Sequence, residues 1–175
     1  MKTSWKTKSS NLIYKNPWIK VSEDEVIRPD GNDGTHTKIE MKTGVTILPI
    51  DEIGNVCLIK EYQYAVARET LEAISGGIDK GEDKLHAAKR ELAEEVGIEA
   101  IEWIYMGVVD PFTTVISSPN HMYVAKKLKF KNHNREGTEQ IEVVKIPLKD
   151  AVDKVGVEIT HGASSVLILK ASNRF

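Results

Sequence analysis

Glu91, Glu94 and Glu95 stand close together near the end of the stretch GGIDKGEDKLHAAKRELAEEVGI, which runs from Gly76 to Ile98. On a helix over residues 83–96, turning about 100° per residue, the three carboxylates fall within an arc of roughly 100°. Leu85, Ala88, Leu92 and Val96 form an apolar stripe beside them. Like charges so placed repel, weakening the helix or raising their own pKa values. A hard divalent cation removes that conflict, because Mg²⁺ takes oxygen ligands and is held by one or two carboxylates together with substrate phosphates. The chemistry open to these residues is therefore metal-assisted work on phosphates. Arg90, four residues before Glu94, can pair with it, and Glu82 and Asp83 suit the positive end of the helix dipole. RELAEE alone reads more readily as a solvated acidic face, so the wider spacing has to decide.

That spacing is specific. Gly76, Glu82, Arg90, Glu91, Leu92, Glu94, Glu95, Gly97 and Ile98 fit G-x5-E-x7-R-E-U-x-E-E-x-G-U, where U is a bulky aliphatic, with no fixed position missed. At average residue usage such a match arises by chance with odds on the order of one in a million or less. The stretch resembles the signature of the Nudix hydrolases, a family that hydrolyses nucleoside diphosphates linked to another moiety. The resemblance implies an α/β/α sandwich with a mixed sheet, and Mg²⁺ as cofactor with Mn²⁺ as a possible substitute. It implies Glu91 and Glu95 as principal metal ligands, with Glu94 in the cluster and a backbone carbonyl of Ser75 or Gly76 completing the shell. Arg90 would orient the carboxylates, and Glu82 would brace loop against helix. Gly76 and Gly77 let the backbone approach metal and phosphate closely.

The rest of the chain is most similar to the ADP-ribose pyrophosphatase and nucleoside-diphosphate-sugar hydrolase branch. NPWIKVSEDEVIRPDG resembles its N-terminal strands, which help form a homodimer, and EYQYAVARETLEAISGG its lead-in to the signature. Trp18 matches a tryptophan that stacks on the nucleobase, and Pro111 lies near a marker proline. Glu139 aligns with a proposed general base, with Glu136 and Glu142 as local rivals. Gln63 stands where relatives carry a substrate-binding arginine; Arg68 either replaces it in binding substrate or is a surface charge. PFTTVISSPN lacks the acid that relatives show after the proline. The implied reaction is hydrolysis of a nucleoside diphosphate sugar, ADP-ribose first, to AMP and ribose 5-phosphate. A non-catalytic nucleotide sensor and an enzyme for GDP-mannose or a dinucleotide are the rival readings. His121 and His133 read as loop or strand-edge residues, since Mg²⁺ favours oxygen, and His86 as a solvent-facing residue turned away from the acids.

Several elements must position these groups. PWIKVSEDEVIRP and THTKIEMK, separated by the turn PDGNDG, form an antiparallel β element over residues 1–45. By the resemblance, residues 46–175 would form the hydrolase domain. TGVTILPI and VCLIKEYQY read as a hairpin of two buried strands around DEIGN. ETLEAIS leads into the glycines. EWIYMGVV, HMYVAKKLKF and IEVVKIP are further strands, and LKDAVDKV and GASSVLILKAS are closing helices. An isolated hairpin is marginal in water, so the first 45 residues need a surface to pack on, such as a second subunit.

Composition narrows the class. Of 175 residues, 41% are hydrophobic and 29% charged, enough to bury a core without disulfides or a structural metal. The single cysteine, Cys57, lies in the apolar run NVCLIKEY and reads as a buried strand thiol. No apolar run approaches the ~20 residues that span a membrane, and MKTSWKTKSSNLIYK has no apolar signal core. A cytoplasmic protein is expected. A net charge of −2 without a basic block argues against a nucleic-acid partner; a small-molecule nucleotide is the partner that the resemblance implies.

Overall fold

The computed structural model describes residues 4–130 and 141–175. They fall into two compact units. The smaller runs up to Lys42 and includes Asp110–Pro119, and the larger comprises Thr43–Val109 and Asn120–Phe175.

The smaller unit is one sheet of β1 (Lys6–Lys15), β2 (Ile19–Ile27), β3 (Asp33–Met41) and the short β9 (Ile116–Ser117), in that order. The alternation in IKVSEDEVI buries Ser22, Asp24 and Val26 and exposes Glu23 and Glu25, as a strand with one covered face requires. β1 is exposed along its whole length. KTKSSNLIYK shows no alternation of apolar and polar residues, so its pattern does not predict a strand. Its lysines and polar residues instead suit an edge strand. The Asn16 side chain closes the β1–β2 turn by accepting from the N–H groups of Trp18 at 2.9 Å and Ile19 at 2.7 Å.

The larger unit has two sheets. One is mixed, in the order β7 (Ile74–Gly77), β4 (Gly44–Pro49), β10 (Asn120–Phe130), β8 (Ile98–Val109), with β4 and β10 parallel. The other is antiparallel, in the order β11 (Glu142–Pro147), β5 (Asn55–Gln63), β6 (Arg68–Glu72). Helix α1 (Lys84–Val96) packs on one side, and α2 (Leu148–Lys154) and α3 (Gly162–Ser172) on the other. β5 shows how the layers form: Val56 and Leu58 join the core under α2 and α3, while Cys57 and Ile59 join the core under α1. Cys57 is thus a buried strand residue. A strand covered on both faces must be apolar throughout, which is why VCLI carries no polar residue. The result is the α/β/α sandwich that the motif implied.

One pairing differs from expectation. β4 and β5 do not form a hairpin: a single antiparallel bridge, Ile50 with Val56, joins them. β4 pairs with β7 and β10, and β5 with β6 and β11. The turn between them passes the chain from one sheet to the other. Asp51 holds it, its Oδ1 accepting from the N–H groups of Ile53 at 3.1 Å and Asn55 at 2.8 Å. Hydrophobic runs define which strands are buried, not which edges they take. Among the described residues, no helix is long and apolar enough to cross a membrane.

Candidate metal and diphosphate site

Helix α1 is defined at both ends. Asp83 caps its start, accepting from the N–H groups of Leu85 at 2.9 Å and His86 at 3.2 Å. Gly97 ends it in the left-handed region at φ 65°, its N–H returning to the carbonyl of Ala93. Ala87, Ala88 and Leu92 are buried against the sheet, and Leu85 and Val96 flank them. This seats the acidic face beside β7.

Arg90 is the hub of that face. Its Nε donates to Glu82 Oε1 at 3.0 Å and its Nη2 to Glu82 Oε2 at 3.1 Å. Nη1 donates to Glu91 Oε1 at 2.8 Å and to Glu94 Oε2 at 3.1 Å, and Nη2 also reaches the carbonyl of Gly77 at 3.0 Å. One planar guanidinium therefore ties the loop carboxylate, two helix carboxylates and the glycine strand together, a task suited to its fork of donors. Glu82 further accepts from the Asp79 N–H at 3.0 Å and meets His86 Nδ1 at 3.0 Å. Bonds from Arg90 first, then from Asp79 and His86, hold the Glu82 carboxyl at about 2. Arg90 is driven above its ordinary value, Glu82 being the main cause. Glu91 moves the other way: burial raises it, Arg90 opposes, and Glu94 and Glu82 add repulsion.

The glycines fit this arrangement closely. In β7, Ser75, Gly76 and Gly77 are in register with Thr46, Val45 and Gly44 of β4. A Cβ at Gly76 would overlap the Glu91 carboxylate outright. The helix acid lies directly on the strand backbone, and only glycine leaves room for it.

The structure thus brings together Gly76, Gly77, Glu82, Arg90, Glu91 and Glu94 of the residues singled out in the sequence. Ser75 lies one step along β7, and Glu95 one step along α1, half-buried with Oε2 shielded from solvent. Among the described residues, no three acidic, imidazole or thiol side chains already surround a common point. Glu91 and Glu94 are instead both directed onto Arg90. The donors are nonetheless carboxylate and carbonyl oxygens, the set a hard cation takes, and the Gly76 cradle keeps one of them against the backbone. The residues suit a divalent cation of the hard, oxygen-seeking kind.

Other expectations lie elsewhere. Glu139 and its rival Glu136 fall outside the described residues, and Glu142 opens β11 opposite Lys60. Arg68 is not brought to the acids. Its Nη2 donates to Thr160 Oγ1 at 2.8 Å, and it lines a cleft of about 550 Å³ with Leu71, Val144 and Ile146 on the α2 and α3 side. Trp18 sits at the tip of the β1–β2 hairpin with 69% of its surface exposed. His86 is exposed as expected, and it bonds the loop carboxylate Glu82. Residues 82, 86 and 90 are successive i, i+4 positions, and that spacing was the available signal.

Residues 41–162 match the model of the NUDIX domain, and residues 5–39 that of the nucleoside diphosphate sugar hydrolase N-terminal domain. The chain belongs to the NUDIX family. NUDIX hydrolases generally use divalent metal ions, in keeping with the oxygen donors above. This NUDIX chain is 25% identical to the ADP-ribose pyrophosphatase of Bacillus subtilis (strain 168), over 94% of its own length and 90% of the relative's. It is 25% identical, with the same coverage, to the methanol dehydrogenase activator of Bacillus methanolicus. A crystal structure of an ADP compounds hydrolase superposes with a TM-score of 0.83 at 20% identity, covering 97% of this chain and 92% of that one, which shows the shared NUDIX fold.

Proposed function

We propose that this NUDIX pyrophosphohydrolase acts on nucleoside diphosphate sugars, with ADP-ribose the first substrate. Water is added across the P–O–P link, one phosphorus taking the hydroxyl and the leaving phosphate the proton, to give AMP and ribose 5-phosphate. The observation that carries the reading is the Arg90 hub, which holds Glu82, Glu91, Glu94 and the Gly77 carbonyl in one network against Gly76.

Glu91, Glu94, Glu95 and a carbonyl of Ser75 or Gly76 would hold Mg²⁺, with Mn²⁺ as a substitute. Bound there, the ion neutralises charge on the diphosphate and lowers the pKa of water. Arg90 keeps Glu91 and Glu94 aimed to one side of α1, and Glu82 fixes Arg90. Gly76 leaves room for Glu91 against the strand, and Gly77 would let the backbone approach the phosphates. Glu139 is proposed as the base that takes the proton of the attacking water, and Trp18 as a stacking surface for the nucleobase. Arg68, bonded to Thr160 on the other side of the sheets, is not part of this reading.

A homodimer is part of it. Leu12, Ile13, Tyr14, Trp18 and Met41 of the smaller unit are exposed apolar residues, the kind of surface a second subunit covers. The partner is a small nucleotide, and a net charge of −2 without a basic block argues against a nucleic acid.

The test is a Mg²⁺-dependent screen of ADP-ribose, GDP-mannose, UDP-glucose and dinucleotides with products identified, repeated with Glu95→Gln. ADP-ribose yielding AMP and ribose 5-phosphate, with turnover sharply reduced in the variant, is expected. An unaffected variant in saturating Mg²⁺ would rule the reading out.

A further inference from the structure

The cleft that Arg68 lines lies between the antiparallel sheet and the turn after α2, and it encloses about 550 Å³. Leu71 of β6 and Val144 and Ile146 of β11 form its floor, and all three pack in the core under α2 and α3. Lys60 of β5, in register with Leu71, stands between those strands. Small-molecule sites are recesses of roughly 300–1,000 Å³ with apolar walls and a few polar groups that fix orientation. This cleft has that size and that kind of floor.

The charges around it do not cancel. Lys60 Nζ pairs with Glu69 at 2.8 Å, and Lys154 pairs with Glu158. Each pair is neutral as a unit, and all four residues line the cleft. Arg68 is the cation left over. Its Nη2 donates to the neutral hydroxyl of Thr160 at 2.8 Å, and among the described residues no carboxylate pairs with it. Glu142 lies opposite Lys60 on β11, two strands away from Arg68. The rim therefore presents one positive charge beside an apolar floor.

We propose that this cleft is a second binding site, for a small monocarboxylate with an apolar body. The carboxylate takes the fork of Arg68, whose planar guanidinium offers two parallel N–H···O bonds. The apolar body covers Leu71, Val144 and Ile146 and removes them from water. Thr160 holds the guanidinium in place before the ligand arrives, which lowers the ordering cost of binding. A single negative charge matches the single cation. A phosphate monoester carries about −1.5 to −2 at pH 7 and would face Glu69 and Glu158 as well. The site is separate from the acids, because Glu91 and Gly76 meet on the α1 side of the sheets.

Octanoate tests the ligand class, and octanamide is its uncharged match in shape. Nuclear magnetic resonance titration of the full isotope-labelled chain reads binding directly, independent of turnover. Octanoate should shift the amide signals of Arg68, Leu71, Val144 and Ile146, and octanamide should bind about tenfold more weakly, as expected for the loss of a charged hydrogen bond. Arg68 is exposed, so Arg68→Gln leaves the core untouched. In that variant the affinity for octanoate should fall to that for octanamide. Arg68→Lys, which keeps the charge but not the fork, should fall between the two. No shift at these residues in millimolar octanoate overturns the proposal. Equal binding of the two probes does so too, as does an Arg68→Gln protein that still prefers octanoate. Shifts confined to exposed apolar residues of the smaller unit, such as Leu12 and Ile13, would also overturn it, by placing the probe elsewhere.

Discussion

The carboxylate of Glu91 fills the space that a side chain at position 76 would need. Strand and helix are in contact there through an acid and a glycine, so the position of the acid depends on the missing Cβ. Gly76→Ala should push Glu91 off the strand and off Arg90. Misplacement of a reacting group by about 1 Å can reduce turnover on the order of a hundredfold, and the overpacking should destabilise by about 1–3 kcal/mol. Steady-state kinetics and thermal unfolding of the variant read both. Wild-type turnover in Gly76→Ala would show that Glu91 has no role in the reaction.

Arg90 bonds three carboxylates and one carbonyl, so no single replacement reproduces it. Arg90→Lys retains the charge but loses the fork, and lysine cannot meet Glu82, Glu91 and Gly77 at once. Groups that orient metal ligands typically change metal affinity or activity about 10–100-fold when altered. The expected result is a fall of that size in kcat/KM, with a higher Mg²⁺ concentration needed for half-maximal rate. Glu82→Gln should shift both in the same direction by less, because Nη1 keeps its bonds to Glu91 and Glu94. Titrations of rate against Mg²⁺ for the two variants test the order.

The acidic face was legible because a helix repeats every few residues, so side chains far apart in sequence can be placed on one side without knowing the fold. The helical stretch over residues 83–96 and the Arg90–Glu94 pair follow from spacing alone. The partners of β4 do not. TILPI announces burial on both faces, but the strands flanking it, β7 and β10, come from 25 or more residues away, and nothing local names them. β1 escaped for the opposite reason: an exposed edge strand needs no apolar alternation. The Tyr105–His121 contact depends on the β8–β10 register, including its irregularity at Met122 and Tyr123, which no residue pattern announces.

Asp51 gives a prediction about pH. Burial pushes its carboxyl up, but the Lys145 ammonium at 2.6 Å and the N–H groups of Asn55 and Ile53 outweigh it and leave it below its ordinary value. A depressed carboxyl contributes stability above its unfolded pKa, about 4, and loses it as pH falls through the folded value. Lys145 is raised by the same bond, so its contribution persists until pH passes its elevated value. Asp51→Asn should therefore be less stable than wild type at pH 7, by about 1–3 kcal/mol for the buried hydrogen bonds weakened. The gap should begin to narrow below about pH 4 and go on shrinking as pH falls through the lowered folded value. Denaturant unfolding at pH 7 and pH 3 measures it. A gap that stays constant would mean that the Asp51 charge is not what holds the β4–β5 turn.

The last prediction concerns the acids without reference to turnover. Glu91 is raised by burial and by its acidic neighbours, so without a cation its ionised form weighs against the fold: its favourable share is present at low pH and lost as pH rises through the raised value. A cation held by the cluster should reverse this at neutral pH. A ligand at a hundredfold excess over its Kd stabilises by about 2.7 kcal/mol, and thermal unfolding at pH 7 should rise by several degrees as Mg²⁺ or Mn²⁺ is added. Ca²⁺ should act more weakly, since it needs more oxygen ligands than this face offers. Glu91→Gln should be more stable than wild type in a chelator and should lose most of the shift on adding Mg²⁺. Both differences come from one carboxylate, so a Glu91→Gln protein that responds to Mg²⁺ as the wild type does would place the ion elsewhere.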